Sequence, residues 1–384
     1  MRFAVYHPWV YLTSGLERTF LELFKRSRHD WVLYTHRYQP ESTYPELTAY
    51  DVVELQPRVS VRRSFVPLMK AAATIARTRL PDDGTAGLLV SSEGLGDFVL
   101  ARNRGPAACY CHTPLKILHD DATRAALREQ STQKYAALRA LAPAFAATDR
   151  AMWRRYDHVF ANSAETRRRI GAARLRDVDD VEVLVPGVDT ERITMGPPAR
   201  RQRFVLAGRI MWQKNVELAI DAVRLLAQRG TTAPVVVAGA VDDKSRPYLA
   251  QLEERAAGLP VEFHPDPDDG ALVELYRTST AALFTARNED FGIVPLEAMA
   301  AGTPVLTVDN GGPRETVVDG RTGWLLPPTP AAFADRMAQV LSAPAAVDAM
   351  RPDARARAEE FGWQRLTDRV DDVMEQLSAA RRAR

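Results

Sequence analysis

Two glutamates, Glu289 and Glu297, stand eight residues apart in "RNEDFGIVPLEAMAAGTPVL" (287–306), with Gly292 between them. The run ahead of it, "AALFTA" (281–286), reads as a buried strand, and residues 287–291 as a loop. A helix is expected to begin near Gly292. Pro295 is tolerated in its first turn, Gly302 ends it and Pro304 blocks its continuation. A strand that leads through glycine into a helix N-terminus makes an anion site, because the first N–H groups lack helical partners and carry the positive end of the dipole. The N–H groups near Phe291, Gly292 and Ile293, with Asp290 in the same loop, can point at phosphate or sugar oxygens. Glu289 can accept hydrogen bonds from hydroxyls above the helix. Glu297, one to two turns in, can bind the two hydroxyls of a ribose. A nucleoside diphosphate carrying a sugar would use all of these features.

A second pair of charges supports that chemistry. Arg209 and Lys214 follow the apolar run "RFVLAG" (203–208) in "AGRIMWQKN" (207–215). Two cations five residues apart can clamp a diphosphate and stabilise charge building on a leaving group. With such a clamp no metal is needed. The D-x-D of "HPDPDDG" (Asp266, Asp268) lies in a loop of the second half and reads as loop acids. His112 ends a strand in "YCHTPLK" (110–116). Gly15, with Ser14, occupies the first strand-to-helix turn, where a missing Cβ lets a phosphate approach. The "GLG" at 94–96 reads as a tight helix start.

Short β-type runs alternate with helical patterns along the whole chain and would position these residues. The first series is 2–7, 30–35, 87–92, 107–112, 158–163 and 181–186; the second is 203–208, 233–239, 260–265, 281–286 and 304–309. Amphipathic helices fit between most of them, as in "NVELAIDAVRLLAQRG", where Leu218, Ala222, Leu225 and Leu226 recur at helical spacing and Gly230 closes the end. Apolar strands alternating with helices imply α/β parallel sheets covered on both faces. The proline-rich basic stretch "MGPPARRQR" (195–203) separates the series. The expected organisation is two doubly wound Rossmann-like domains, 1–197 and 198–362, with ligands at the carboxyl ends of the strands in the cleft between them. A final helix, 363–384, carries Leu366, Val370, Val373, Met374 and Leu377 on one face and is expected to return to the N-terminal domain.

A chain of 384 residues with 46% apolar residues is large enough for two cores, and a net charge of +2 does not point to nucleic acid. Residues 1–197 carry 28 basic and 23 acidic residues and the remainder 23 and 26, so the halves are +5 and −3. The window 55–81 holds Arg58, Arg62, Arg63, Lys70, Arg77 and Arg79 with no acid. It reads as a solvated face or as a contact for an anionic membrane surface or phosphorylated acceptor. Cys109 and Cys111 share one face of a strand, at neither disulfide nor zinc spacing, and read as buried thiols of a reduced compartment. The start lacks the pattern of a signal peptide, and no apolar run reaches the length of a membrane span, so a cytoplasmic protein, peripheral at most, is expected.

Taken in order, several segments resemble the retaining glycosyltransferases of family 4, with the two-Rossmann GT-B fold. "ARNEDFGIVPLEAMAAGTPVL" resembles their E-x7-E signature, "AGRIMWQKN" their G-R-x4-K-N segment and "YCHTPLK" their histidine loop. "SGLERTFLEL" (14–23), "NSAETRRRI" (162–170), "VPGVD" (185–189) and "DNGGPRETVVDGRTGWLLPP" (309–328) are similar to further family segments. The family often has two adjacent glycines in the first loop; here there is one, beside Ser14. The resemblance implies a sugar transfer from a nucleotide donor to an acceptor hydroxyl with retention, by front-face attack in which the leaving phosphate takes the acceptor's proton. It places His112 near the donor sugar, Arg209 and Lys214 on the phosphates, Glu289 on sugar hydroxyls and Glu297 on the ribose. It tilts the donor toward GDP-mannose, with a UDP-sugar as the other candidate, and the process toward cell-surface polysaccharide or glycolipid synthesis. The acceptor classes left open are a sugar, a lipid-linked sugar and a natural product. A GT-B phosphorylase and a non-catalytic nucleotide-sugar-binding protein are the other readings.

Overall fold

The computed structural model describes residues 1–60, 65–197 and 201–382. The chain forms two compact units: Met1–Pro186 together with Trp363–Arg384, and Gly187–Gly362. The division therefore falls inside "VPGVD", and residues 187–197 belong with the second unit. Of the proline-rich stretch, residues 198–200 lie outside the described residues.

The first unit is built on seven strands: β1 (Arg2–Tyr6), β2 (Asp30–Thr35), β3 (Asp51–Glu54), β4 (Leu88–Ser92), β5 (Ala107–Cys111), β6 (His158–Ala161) and β7 (Glu182–Val183). Their order is β3-β2-β1-β4-β5-β6-β7, every pairing parallel. β4 and β5 are buried at every residue, as a sheet covered on both faces requires. Cys109 and Cys111 are free thiols inside this core.

The second unit has six strands: β8 (Arg201–Ala207), β9 (Val235–Gly239), β10 (Val261–Pro265), β11 (Ser279–Phe284), β12 (Val305–Val308) and β13 (Gly323–Leu326). Their order is β10-β9-β8-β11-β12-β13, again all parallel. Both sheets thus carry the 3-2-1-4-5-6 order of the doubly wound α/β fold, the class read from the sequence. In each, the order reverses between the first and fourth strands: β1 and β4 in one unit, β8 and β11 in the other. The crevice above that reversal is where such sheets take ligands.

The helix Trp363–Arg382 packs in the first unit. Its buried Asp371 accepts hydrogen bonds from Ser27 Oγ (2.6 Å) and the Arg28 N–H (3.0 Å). Arg369 forks onto both oxygens of Glu182 at 2.7 and 2.9 Å. Met374 is fully buried; its Cε would meet a Cβ at Gly87 at 3.0 Å, a position that would also sit 3.6 Å from Phe3.

The first core also contains a polar cluster. Asp97, fully buried, accepts hydrogen bonds from Ser92 Oγ at 2.9 Å and from the Tyr156 hydroxyl. Asp149, also buried, sits 3.0 Å from His119 Nε2. Burial first, and then the Asp149 charge, push Asp97 up to about 7.

In the basic window, Arg58 pairs with Glu54 at 2.7 Å, while Lys70, Arg77 and Arg79 are exposed on or just after the helix Phe65–Arg77. Arg62 and Arg63 lie outside the described residues. No helix among the described residues is long and apolar enough to cross a membrane.

Candidate functional site

The loops after β8 and β11 meet at the reversal point of the second sheet. The chain leaves β8 through Gly208, whose φ of 120° is costly for any other residue. The backbones here are in contact: a Cβ on Gly239, at the end of β9, would lie 2.0 Å from the Gly208 carbonyl oxygen. Ile210 is buried and anchors the loop. A tight turn, Trp212–Lys214, follows, and Asn215 adopts the left-handed conformation before the helix Val216–Gln228. Asparagine tolerates that conformation better than most residues.

The β11 loop is stitched to this one. Thr285 Oγ1 donates to the Lys214 carbonyl (2.8 Å), and the Arg287 N–H donates to the Gln213 carbonyl (2.8 Å). The Arg287 guanidinium donates to Asn215 Oδ1 (2.6 Å). These bonds set Lys214 Nζ 2.7 Å from Glu289 Oε2 and 5.4 Å from the centre of the Phe284 ring. Lys214 and Glu289 are largely enclosed, so the pair is screened less than a surface ion pair. Arg209, half-buried, makes no ion pair or side-chain hydrogen bond among the described residues.

The helix after the β11 loop is Ile293–Ala300, with Gly292 as its N-cap at φ 84° and no side-chain cap. A Cβ on Gly292 would lie 3.3 Å from Glu289 Cγ and from the Phe284 ring, so the glycine keeps the backbone close to Glu289. Phe291 is buried with its ring 6.2 Å from that of Phe361; only its backbone can meet a ligand. Asp290 lies in the same loop, its carbonyl oxygen against Gly312. Glu297, half-buried, accepts a hydrogen bond from the Tyr276 hydroxyl at 3.1 Å.

A third segment braces this loop from behind. The Gly312 N–H donates to the Glu289 carbonyl at 3.1 Å. A Cβ on Gly311 would come within 2.3 Å of that carbonyl oxygen, and one on Gly312 within 2.3 Å of Phe291 Cα and its carbonyl oxygen. The Gly-Gly pair is thus required for contact with residues 289–291. The sequence showed this segment only through its family likeness, and the adjacent glycines were the available signal. A groove of about 630 Å³ opens nearby, lined by Asn215, Arg287, Asn288 and Asn310 among others, but by none of Arg209, Lys214, Glu289 or Glu297.

The other predicted residues belong to the first unit. Ser14 is the N-cap of the helix Gly15–Arg26: its hydroxyl accepts from the Leu16 N–H at 3.2 Å and donates to the Glu17 carboxylate. Gly15 opens that helix, and its carbonyl accepts from Thr19 Oγ1 at 2.8 Å. His112, just past β5, has Nε2 3.0 Å from Ser91 Oγ and its ring 5.0 Å from Tyr110. Burial first, then nearby His7, push His112 down to about 3, so its imidazole is neutral at ordinary pH. Gly94 of the "GLG" run takes φ 104°, and a Cβ there would strike Leu115 at 2.5 Å; the glycine is required by packing against the histidine loop. The D-x-D acids have structural tasks: Asp266 Oδ1 accepts from the Val241 N–H (2.9 Å), and Asp268 caps the helix Asp269–Thr278 through the Ala271 N–H (2.7 Å).

Two Rossmann-like doubly wound domains, the second with two cations after one switch-point strand and two glutamates after the other, have the architecture of the GT-B fold. Residues 189–359 match the family "Glycosyl transferases group 1", and this segment is a glycosyltransferase group 1 domain. The chain is 32% identical over 224 residues to a D-inositol 3-phosphate glycosyltransferase of Frankia alni, covering 53% of this chain and 55% of that protein. A protein of the same description from Streptomyces scabiei is 34% identical over 227 residues, covering 54% and 51%. The chain spans about half the length of the curated relatives it matches. Among solved structures, sucrose-phosphate synthase from Thermosynechococcus elongatus superposes with a TM-score of 0.77 at 18% identity, covering 99% of this chain and all of that one. The Anabaena protein HepE, in complex with UDP and glucose, superposes with a TM-score of 0.72 at 17% identity, covering 98% of this chain and all of that one.

Proposed function

We propose that this protein transfers a hexose from a nucleoside-diphosphate sugar to an acceptor hydroxyl with retention of anomeric configuration. One observation carries the reading. The two strands at the switch point of the second sheet deliver Arg209 and Lys214 on one side and Glu289, the uncapped helix start and Glu297 on the other. The group 1 domain over residues 189–359 supports it. So do similar proteins, which include D-inositol 3-phosphate glycosyltransferases and a structure solved with UDP-glucose.

In this reading Glu297 holds the ribose hydroxyls and the N–H groups of residues 291–293 meet phosphate or sugar oxygens. The acceptor oxygen bonds to the anomeric carbon as the bond from that carbon to the phosphate oxygen breaks, and the acceptor's proton passes to that departing oxygen. Arg209 and Lys214 stabilise the charge on the diphosphate, so the step is assigned no metal. Lys214 turns from Glu289 Oε2 to the phosphates as the donor arrives, and that oxygen accepts from a sugar hydroxyl instead. His112, neutral, bonds a sugar hydroxyl or phosphate; Ser14 and Gly15 keep the first loop close to the phosphates. GDP-mannose and a UDP-hexose are the two donor candidates. The acceptor classes are a saccharide or lipid-linked saccharide of cell-surface polymer or glycolipid synthesis and, as the rival, a natural product. The reaction is assigned to the cytoplasm, with the basic window 55–81 as the contact for an anionic membrane face.

The test is calorimetric binding of UDP, GDP, ADP and TDP and their sugars to the full chain without metal, followed by donor turnover. Preference for one nucleotide fixes the donor. Phosphate-dependent cleavage of a glycoside would instead establish a phosphorylase, and binding without turnover against any acceptor a non-catalytic protein. No binding to any nucleotide refutes the site.

A further inference from the structure

Tyr276 sits on the helix Asp269–Thr278, on a different element from any residue of the two motifs, and is 1% exposed. A phenol at such a position is costly unless its hydroxyl is bonded, whereas phenylalanine would fill the same core space at no such cost. Among the described residues that hydroxyl has one partner, Glu297 Oε2, at 3.1 Å. The other end of the residue is pinned as well: Thr303 Oγ1, beyond the end of the Glu297 helix, donates to the Tyr276 carbonyl at 2.6 Å. Burial and the neighbouring carboxylate both raise the phenol well above 10, so it remains a donor throughout the working pH range.

We propose that Tyr276 is a positioning residue for the nucleoside: its hydroxyl holds the Glu297 carboxylate in the orientation that receives the ribose hydroxyls. The inference rests on the ribose-binding role given to Glu297 above. It predicts a specific signature, because Tyr276 acts on the ribose only through that carboxylate. Removing the hydroxyl should weaken ligands that carry ribose hydroxyls and leave ligands without them unaffected. A merely structural tyrosine would weaken both alike.

The experiment compares UDP, GDP and ADP with their 2′,3′-dideoxy forms by calorimetry on the full chain, using the parent, Tyr276→Phe and Glu297→Ala. The parent should favour the ribose form of its preferred nucleotide by roughly 10- to 100-fold. Tyr276→Phe should shrink that ratio about fivefold, with dideoxy affinity unchanged and donor KM raised by the same factor at constant kcat. Equal losses for both ligand series would overturn the positioning role. A ratio abolished in Glu297→Ala but intact in Tyr276→Phe would overturn this inference alone. A ratio intact in Glu297→Ala, or no nucleotide binding to the parent, would overturn the ribose assignment and the inference with it. Should Tyr276→Phe fail to fold, 3-fluorotyrosine placed at 276 gives the second readout. Its fluorine resonance should move when the ribose nucleotide binds and stay fixed with the dideoxy form; identical movement with both would refute the proposal.

Discussion

Gly312→Ala is a sharp test of how the candidate site is held. Gly312 needs no unusual backbone conformation, with φ of −58°, so the substitution acts by volume alone. The added Cβ would lie 2.3 Å from both Cα and the carbonyl oxygen of Phe291 and 2.6 Å from the Asp290 carbonyl oxygen. Relief requires the two backbones to part by roughly 1 Å, because ordinary contact begins near 3.4 Å. The Phe291 ring is locked in the core against Phe361, so the loop cannot yield without disturbing Glu289 and Gly292. Overpacking of this kind costs about 1–3 kcal/mol, or some 2–4 °C in Tm per kcal/mol for a domain of this size. A misplacement of about 1 Å at a reacting centre can cost about 100-fold in rate. We therefore expect Gly312→Ala to lose about two orders of magnitude in donor kcat/KM when assayed well below its Tm. Gly362→Ala is the control, since a Cβ there meets nothing within 4 Å. Parental kcat/KM in a folded Gly312→Ala protein would refute the bracing role of the glycine pair.

Arg209→Ala should lower kcat about 100-fold or more while donor KM changes less, because a charge-stabilising donor acts mainly in the transition state; near-normal turnover would remove Arg209 from the mechanism. Asp97 is more basic folded, at about 7, than an ordinary aspartate near 3.9, so the folded state binds the extra proton and stability should fall as pH rises from about 4 to about 7, then level off. Asp97→Asn should flatten that decline in Tm measured from pH 5 to pH 8, leaving the smaller part due to Asp149, whose carboxyl is also raised by burial despite His119; an unchanged slope would show that Asp97 does not carry it. Asp371→Ala strands the Ser27 hydroxyl and the Arg28 N–H and should cost about 1–3 kcal/mol, with earlier proteolytic release of residues 363–382; an unaltered Tm and digestion pattern would contradict this anchoring role.

The sequence discloses most where signals are local. The buried strands of both sheets, the helix start at Gly292 and its end at Gly302 follow from apolar runs and from residues that cap or break helices. Apolar runs do not mark β3 and β13, two edge strands of four residues each, and they assign six residues to β7, which pairs through only two. Short edge strands such as "DVVE" lack a sustained apolar run, so neighbours rather than local composition decide their conformation. The pairing of Lys214 with Glu289, the Gly311–Gly312 brace and the Tyr276–Glu297 bond join residues far apart in the chain, and periodicity is silent about such contacts. Ser14 illustrates the converse. Its Ser-x-x-Glu spacing is a local capping signal that the chain carries alongside any contact with phosphate.

The return of residues 363–382 to the first unit makes that unit discontinuous in the chain, and this has a consequence for biosynthesis. When Pro186 leaves the ribosome, the first unit still lacks its last helix, and the whole of the second unit must be translated before that helix appears. During that interval the site later filled by Met374 is uncovered beside Phe3 and Gly87, and the Ser27 hydroxyl and Arg28 N–H await Asp371. The second unit, continuous from Gly187 to Gly362, has every strand it needs before translation ends. Its folding can therefore finish first, although it is made later, and the N-terminal unit is the one exposed to chaperones and to aggregation.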